Sequence, residues 1–272
     1  MIFESALGAT SLAWSKTQPL VAARTRACAY DRAGYGWSDP SPLPRDARQI
    51  AIELHTLLER ARESPPYVLV GHSLGGILIR VYAHRYPDEV AGIVLVDARH
   101  EDFFKRMPTE YLTVDEANYQ RSIFLEYVTP FGLTRVLGAT GFLDTYFAQI
   151  LDPLPPEARP AAWATMINNP SHWAAARAER DAIEQSYTEA RQAGSLGDLP
   201  LIVLSAENGV DTWKPPSGEI GQDARRAWAA MQDDLAKLST HSQHIVVPGS
   251  GHMLHLDNPA VVADAILSLL AP

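Results

Sequence analysis

Val68–Gly76 reads VLVGHSLGG, and this stretch decides the fold. A buried apolar run ends in Gly71-His72-Ser73-Leu74-Gly75, a G-x-S-x-G motif, and a helical pattern follows to Pro87. A serine between glycines at such a junction lies on a sharp strand-to-helix turn, where a Cβ on the flanking residues would clash. The pattern predicts that the Ser73 hydroxyl projects at the carboxyl end of a strand, the edge where open α/β sheets bind ligands.

Short apolar runs recur along the rest of the chain, and helical patterns separate them. Continuous runs of this length are typical of strands buried on both faces of a parallel sheet. The alternation of strand and helix therefore predicts an α/β protein with a mostly parallel, doubly wound sheet. The predicted strands are MIF (Ile2, Phe3), TRACAY (Thr25–Tyr30), YVLVG (Tyr67–Gly71), AGIVLVD (Ala91–Asp97), LPLIVLS (Leu199–Ser205) and HIVVPG (His244–Gly249).

The interval from about Glu101 to Leu196 interrupts this alternation. It contains no clear buried strand, it is rich in Tyr, Phe, Trp, Pro and Ala, and long parts of it have a helical pattern. An insertion of this kind in a regular sheet is usually a cap or lid. We therefore expect a core made of residues 1–100 and 197–272, and a helical cap made of residues 101–196 inserted after the strand that ends at Asp97.

Composition excludes several classes of partner. The 272 residues carry a net charge of −9, which argues against a nucleic-acid surface because such surfaces cluster Lys and Arg. Cys28 is the one cysteine, so no intrachain disulfide can form; this fits a reducing compartment, and a cytoplasmic location is expected. No apolar run approaches the ~20 residues of a membrane span, and the opening MIFESALG lacks the basic region of a signal peptide.

Three motifs in order resemble those of the α/β-hydrolase family, and the resemblance covers nearly the whole chain. YDRAGYGWSD (Tyr30–Asp39) looks like a loop that precedes the family's first long helix, VGHSLGG (Val70–Gly76) like its nucleophile elbow, and VPGSGHMLHLDNP (Val247–Pro259) like its catalytic-histidine loop. The resemblance implies the α/β-hydrolase fold without the family's usual first two strands. The strand over Thr25–Tyr30 would then lie at an edge, which must be covered, and a homodimer is one expected cover.

A serine hydroxyl needs a base that takes its proton and a third group that orients the base. His252 is the candidate base, because it follows the last predicted strand in a GSGH loop at the same sheet edge as Ser73. His255, three residues further on, is the rival. His72 lies inside the elbow, and its side chain should point away from the nucleophile.

The acid that orients the base has three candidates. Family members often carry the acid in a Gly-x-x-Asp after the strand that corresponds to LPLIVLS, but here SAENGVDTW places Gly209 at the expected position. Asp97 ends the neighbouring strand and is the preferred candidate, since some α/β-hydrolases carry their acid there. Asp211 is the alternative, and Glu207 is the third.

Two backbone N–H groups are expected to bind the oxyanion of the reaction. One belongs to Leu74, the residue after the nucleophile. By resemblance the other belongs to Leu7 in the FESALG loop, where Ser5-Ala6 replaces the family's frequent His-Gly and Gly8 supports the turn. Backbone donors tolerate such side-chain changes.

The sequence thus indicates a carboxylesterase-like serine hydrolase that needs no cofactor or metal. A serine at the elbow argues against the family's dehalogenase and epoxide-hydrolase branches, which use Asp there. Amide, lactone or peptide hydrolysis by the same triad, and a non-catalytic small-molecule receptor, are the alternatives. A small apolar ester is the expected substrate because many aromatic residues of the insertion could line a pocket over Ser73. These are Phe103, Phe104, Tyr111, Tyr119, Phe124, Tyr127, Phe131, Phe142, Tyr146, Phe147, Trp163 and Trp173.

Overall fold

A computed structural model of the chain describes residues 1–210 and 218–270, apart from the side chains of Val114, Asn118, Arg121, Thr145, Tyr146 and Gln149. The described strands are β1 (Ile2–Glu4), β2 (Cys28–Ala29), β3 (Tyr67–His72), β4 (Val90–Val96), β5 (Leu201–Asn208) and β6 (Ser242–Gly251). They form one sheet in the order β2-β1-β3-β4-β5-β6, and every neighbouring pair is parallel. This confirms the predicted α/β-hydrolase fold class.

The described helices lie between these strands or follow the last of them. They are α1 (Gln18–Ala22), α2 (Ala47–Arg60), α3 (Leu74–Arg85), α4 (Phe103–Arg106), α5 (Thr109–Val128), α6 (Leu133–Ala139), α7 (Asp144–Leu151), α8 (Arg159–Ala162), α9 (Pro170–Asp181), α10 (Ile183–Ala193), α11 (Glu219–Ala236), α12 (Leu254–Asp257) and α13 (Pro259–Ser268).

Both faces of the sheet are buried, which explains the unbroken apolar runs of the sequence. Successive side chains of a strand point to opposite faces, and β4 shows this clearly. Leu95 belongs to the apolar core that contains residues of α2, α3 and α11, whereas Val94 and Val96 belong to a second core that contains Val262 and Ile266 of α13. Each face therefore requires apolar residues, and alternation with polar residues disappears.

Strand β2 lies at the edge of the described sheet and is shorter than the predicted Thr25–Tyr30. Its ladder covers Cys28 and Ala29 alone, which pair with Ile2 and Phe3. The partner strand β1 is itself only three residues long, and this limits the ladder. A dimer that covers this edge stays a prediction.

Between β4 and β5 the described chain is built from helices α4 to α10, and no strand is assigned there. α10 contributes Ile183 and Tyr187 to the core that also contains α2 and α3. Other helices of the insertion enclose a separate apolar cluster that includes Phe147 and Trp173. The division at residues 101–196 into a distinct cap stays a prediction.

Parallel pairing brings the carboxyl ends of the central strands to a common edge. His72, the last residue of β3, pairs with Val96, the last residue of β4, and Val96 pairs with Leu204 of β5. Ser73 and Asp97, which follow the first two of these residues, therefore emerge side by side. The loop after β6, which carries His252, leaves the same edge.

Leu95→Ala tests the burial of the central strands by apolar packing on the faces of the sheet. Leu95 is fully buried at the centre of the sheet, and we expect its truncation to lower the free energy of unfolding by about 2–5 kcal/mol through lost burial and a residual cavity. Urea unfolding followed by circular dichroism measures the change. Leu57→Ala on α2, where the side chain is 42% exposed, is the matched control and should change stability by about 0.5 kcal/mol or less. Equal losses in both variants would contradict the assignment.

Candidate functional site

Ser73 lies on a strained turn between β3 and α3. Its backbone φ of 52° and ψ of −119° are unusual for a residue with a side chain, and such conformations persist only where the surroundings enforce them. The Ser73 N–H donates to the carbonyl oxygen of Val96 at 3.2 Å, and the Ser73 carbonyl accepts from the N–H groups of Gly76 and Arg99. The nucleophile candidate is thus fixed to the end of β4 on one side and to its own helix on the other.

The glycines around Ser73 allow backbone segments to approach one another closely. A Cβ on Gly71 would lie 2.6 Å from the carbonyl oxygen of Gly75, and a Cβ on Gly75 would lie 2.5 Å from the carbonyl oxygen of Glu4. Both distances are too short for any side chain, and the obstructing atoms are backbone. The G-x-S-x-G spacing is therefore a packing requirement of this turn, as the sequence predicts.

The Asp97 carboxylate is fully buried at the end of β4 and accepts three hydrogen bonds. Its Oδ2 lies 2.6 Å from Nδ1 of His252. Its Oδ1 accepts from the backbone N–H of Ala206 at 3.1 Å and from the indole Nε1–H of Trp228 at 3.0 Å. Because the acceptor is a carboxylate, Nδ1 of His252 is the donor, which assigns the lone pair of the ring to Nε2.

Gly209 occupies the position where the family resemblance places the acid, and the structure gives a physical reason for the glycine. A Cβ on Gly209 would lie 2.6 Å from Oδ2 of Asp97. The space that a carboxylate-bearing side chain would use on this segment is already filled by the carboxylate from β4. An acid at the end of β4 and a side chain at residue 209 exclude each other in this arrangement.

The rival candidates lie elsewhere or outside the described residues. Glu207 is exposed, and its Oε2 accepts from the backbone N–H of Gly249 at 2.8 Å. Asp211 lies outside the described residues. His255 is fully buried, with its ring 4.6 Å from that of Trp14, centroid to centroid. Of the candidate bases and acids that the structure describes, it brings His252 and Asp97 together.

His72 supports His252, a role that sequence reasoning missed. Its Nε2 lies 2.8 Å from the carbonyl oxygen of His252, and it is buried between the rings of His252 and His255. The contact joins the elbow to the histidine loop across 180 residues. Trp228 was missed as well, because a tryptophan on an amphipathic helix carries no sign in the sequence that its N–H reaches a carboxylate.

Both expected oxyanion donors are backbone N–H groups at defined turns. Leu74 is the first residue of α3, where helical N–H groups have no intrahelical partner. The Ala6 carbonyl accepts from Nη2 of Arg32 at 2.9 Å, and the N–H of Leu7 belongs to the same peptide unit. Because C=O and N–H point in opposite directions in a trans peptide, the Leu7 N–H is directed away from Arg32. Gly8 follows in a left-handed conformation, φ 70°.

The aromatic residues of the insertion divide into buried and exposed groups. Phe103, Tyr111, Phe147 and Trp173 are buried. Four others are more than half exposed, namely Phe124, Tyr127, Phe131 and Phe142. A pocket over Ser73 lined by aromatic residues of the insertion stays a prediction. The side chain of Tyr146 lies outside the described residues.

The parallel sheet, with a G-x-S-x-G turn after one of its central strands, defines the α/β-hydrolase class. The chain belongs to the alpha/beta hydrolase family, whose model matches residues 2–265. It is therefore a member of a family of hydrolases.

Relatives among curated proteins align with different fractions of this chain. An uncharacterized protein of Schizosaccharomyces pombe is 27% identical over 249 residues, which is 89% of this chain and 40% of that protein. The uncharacterized protein YqjL of Bacillus subtilis is 25% identical over 98% of this chain and 81% of its own length. The (lyso)-N-acylphosphatidylethanolamine lipase of Homo sapiens is 37% identical over 87 residues, 31% of this chain and 25% of that protein. The chain thus spans about two fifths of the fission-yeast relative.

Solved structures share the fold over the full chain. An esterase from Thermogutta terrifontis superposes with a TM-score of 0.66 at 20% identity, covering 99% of this chain and 88% of the esterase. Cfl2 from Burkholderia cenocepacia also gives a TM-score of 0.66 at 20% identity, covering 99% of this chain and 87% of the other. Within the described ranges, none of the helices has both the length and the apolar character needed to cross a bilayer.

His255→Phe tests the electrostatics beside the site. Burial, with a contribution from the charge of His252, lowers the pKa of His255 from 6.5 to about 3. The unfolded chain therefore binds more protons between these pH values, so this group removes stability as the pH falls from about 6.5 towards 3. Phenylalanine cannot titrate, and we expect acid unfolding at a midpoint lower by about 0.5 pH unit or more.

The measurement is a series of circular-dichroism spectra between pH 7 and pH 2. His84→Gln is the control, because His84 is exposed on α3, and its midpoint should equal that of the wild type. An unchanged or raised midpoint in His255→Phe would show that the buried imidazole does not oppose folding in acid.

Proposed function

We propose that this chain is a serine hydrolase that cleaves carboxylic esters through an acyl-enzyme on Ser73, a carboxylesterase-like activity. The observation that carries the proposal is the 2.6 Å contact between the buried Asp97 carboxylate and Nδ1 of His252. A serine nucleophile needs a base whose tautomer and orientation are held by a third group. The residues that follow β3, β4 and β6 supply the three members of such a set.

In the acylation step, the Oγ of Ser73 bonds to the ester carbonyl carbon while Nε2 of His252 takes its proton. Asp97 stabilises the resulting imidazolium through Nδ1–H. The carbonyl electrons move to oxygen, and this oxyanion accepts hydrogen bonds from the N–H groups of Leu74 and Leu7. When the intermediate collapses, the C–O bond to the alcohol breaks, and the alcohol leaves with the proton from His252.

Deacylation repeats these steps with water. Nε2 of His252 takes a proton from water, the hydroxide formed bonds to the acyl carbon, and the same two N–H groups hold the second oxyanion. Collapse breaks the bond between the acyl carbon and Oγ of Ser73 and releases the carboxylic acid, while His252 returns the proton to this Oγ. These steps use side chains, backbone N–H groups and water alone.

A small apolar ester is the proposed substrate, and residues 101–196 are the proposed cap. The separate apolar cluster of the insertion includes Leu256 of α12, which lies four residues after His252. The helices of the insertion are therefore packed against the segment that carries the proposed base. The human relative named above as a lipase, a class of ester hydrolase, supports the same class of reaction.

Ser73→Ala tests the nucleophile. We expect kcat for p-nitrophenyl butyrate to fall on the order of 10⁶-fold, to background, because the attacking atom is removed. A fluorophosphonate should add once to the wild type and should not add to the variant, as read by intact-protein mass. Ser268→Ala, on the last helix, is the control and should keep both properties.

Two results would contradict this proposal. One is hydrolysis that persists in Ser73→Ala. The other is a folded wild type that turns over neither butyrate nor longer p-nitrophenyl esters; tight binding of a single small molecule would then favour a receptor on this fold. A series of matched esters, lactones and amides separates the classes of hydrolase.

Asp97→Asn tests the acid. The asparagine oxygen can still accept from Ala206 and Trp228, but its NH₂ group then faces Nδ1 of His252 and favours the tautomer with the proton on Nε2. We expect kcat to fall about 10⁴-fold with little change in KM, because the base cannot accept the serine proton.

Glu207→Gln is the matched control, since it makes the same change from acid to amide on a carboxylate that contacts Gly249. It should keep kcat within about 2-fold of the wild type, as expected of an exposed side chain. Near-normal activity in Asp97→Asn, after circular dichroism has confirmed its fold, would show that Asp97 is not the acid and would direct the search to Asp211.

A further inference from the structure

Arg32 has every hydrogen-bond donor of its guanidinium occupied, although it is almost completely buried. Its Nη1 donates to Oε1 of Glu4 at 2.6 Å and to the carbonyl oxygen of Ser5 at 2.8 Å. Its Nη2 donates to the carbonyl oxygen of Ala6 at 2.9 Å. The remaining Nη2–H and the Nε–H both donate to Glu179, at 2.8 Å each. Arginine has five N–H donors, so the orientation of this guanidinium is fully specified.

Glu179 lies on α9, in the insertion, and reaches the proposed oxyanion loop by a second route. Its Oε2 also accepts from the hydroxyl of Tyr35 at 2.9 Å, and that hydroxyl accepts from the backbone N–H of Gly8 at 3.2 Å. Leu7 therefore lies between two anchored neighbours. The carbonyl of Ala6 is held through Arg32, the N–H of Gly8 is held through Tyr35, and both routes end on one carboxylate.

The packing of α9 keeps this carboxylate in place. A Cβ on Gly34 would lie 2.7 Å from Cβ of Ala175, and the ring of Tyr35 packs edge-on to that of His172 at 4.9 Å, centroid to centroid. The Asn169 side chain donates to the carbonyl oxygen of Gly36 at 3.3 Å. The helix and the loop over Asp31–Asp39 are thus in close contact over two turns of α9.

Acidic and basic side chains alternate in this cluster, from Glu4 through Arg32, Glu179 and Arg45 to Glu53. Glu4 and Glu179 flank Arg32, and Nη2 of Arg45 lies 3.7 Å from Oε1 of Glu179. The opposing carboxylates raise the pKa of Arg32 further above its ordinary value despite its burial. A buried, hydrogen-bonded ion pair is costly to break from one side because the remaining charge loses its partner.

We infer that Glu179 is a positioning residue for the proposed oxyanion site: from the insertion, it holds Arg32 and Tyr35 so that the Leu7 N–H points at the reacting carbonyl. The inference rests on the proposed function and adds to it a residue that does not touch the substrate. The insertion then contributes to the rate of the reaction as well as to the enclosure of the site.

Glu179→Gln is the test. The amide has one acceptor oxygen in place of two, so in either orientation its NH₂ group faces an N–H of Arg32, and the two-point contact that orients the guanidinium is lost. We expect kcat for p-nitrophenyl butyrate, per active site titrated with fluorophosphonate, to fall roughly 10- to 100-fold, somewhat less than removal of a whole oxyanion donor. KM should stay within about 3-fold of the wild-type value, because the contacts that bind the substrate equally in the ground state and the transition state are unchanged.

A second readout separates positioning from a loss of folded protein. A trifluoromethyl ketone forms a hemiketal oxyanion on Ser73, so its inhibition constant should rise by the factor by which kcat/KM falls. A merely structural role would lower the titre of active sites and leave kcat per site and the inhibition constant unchanged.

Glu126→Gln is the matched control. Glu126 forms a two-point ion pair with Arg177, which also lies on α9, at 2.5 and 3.0 Å, and neither residue contacts the oxyanion loop through these bonds. This variant should keep kcat within about 2-fold of the wild type, as expected of a partly exposed pair.

Tyr35→Phe keeps the inference testable if Glu179→Gln does not fold. It removes one hydroxyl, releases the N–H of Gly8, and should lower kcat per site roughly 3- to 10-fold, with a matching rise in the ketone inhibition constant. Unchanged kcat per site in every folded variant of Glu179 and Tyr35 overturns the inference and leaves the proposed function standing. Absence of Ser73-dependent turnover in the wild type overturns the proposed function, and the inference with it.

Discussion

A single buried carboxylate joins four parts of this molecule. Asp97 directly follows β4, accepts from a backbone N–H near the end of β5 and from an indole of α11, and contacts the histidine that follows β6. A buried carboxylate is tolerated only where hydrogen-bond donors surround it, and here a backbone N–H, an indole N–H and an imidazole N–H all donate to it. The relative placement of three strand ends and one helix therefore depends on this side chain, and so does the tautomer of His252.

Much of this architecture follows from sequence pattern, for a physical reason. A sheet covered on both faces requires continuous apolar strands, so all six strands could be predicted from their composition. A turn too tight for a Cβ requires glycines, which made Ser73 recognisable. The predicted ends of the strands were less accurate. The length of β2 is set by its short partner β1, and nothing within Thr25–Tyr30 indicates where the pairing stops.

The parts that could not be predicted depend on contacts between distant segments. Three carboxylates remained candidates for the acid because local sequence does not show which of them contacts His252. The steric conflict between a Cβ at Gly209 and the Asp97 carboxylate is visible only in the folded structure. Glu179 was not singled out either. On a charged, amphipathic helix it reads as a solvated residue, and its burial results from the approach of α9 to a loop 147 residues away.

Buried charges also join one helix of the insertion to the core of the molecule. Displacing α9 would separate Arg32 from Glu179, and breaking a buried, hydrogen-bonded ion pair costs about 3–5 kcal/mol, a large fraction of the stability of an ordinary domain. The segments on either side of α6 are different, because Phe131 and Phe142 are largely exposed there. The insertion therefore differs from part to part: α9 is bound to the loop over Asp31–Asp39 by buried hydrogen bonds and an ion pair, whereas Phe131 and Phe142 face solvent.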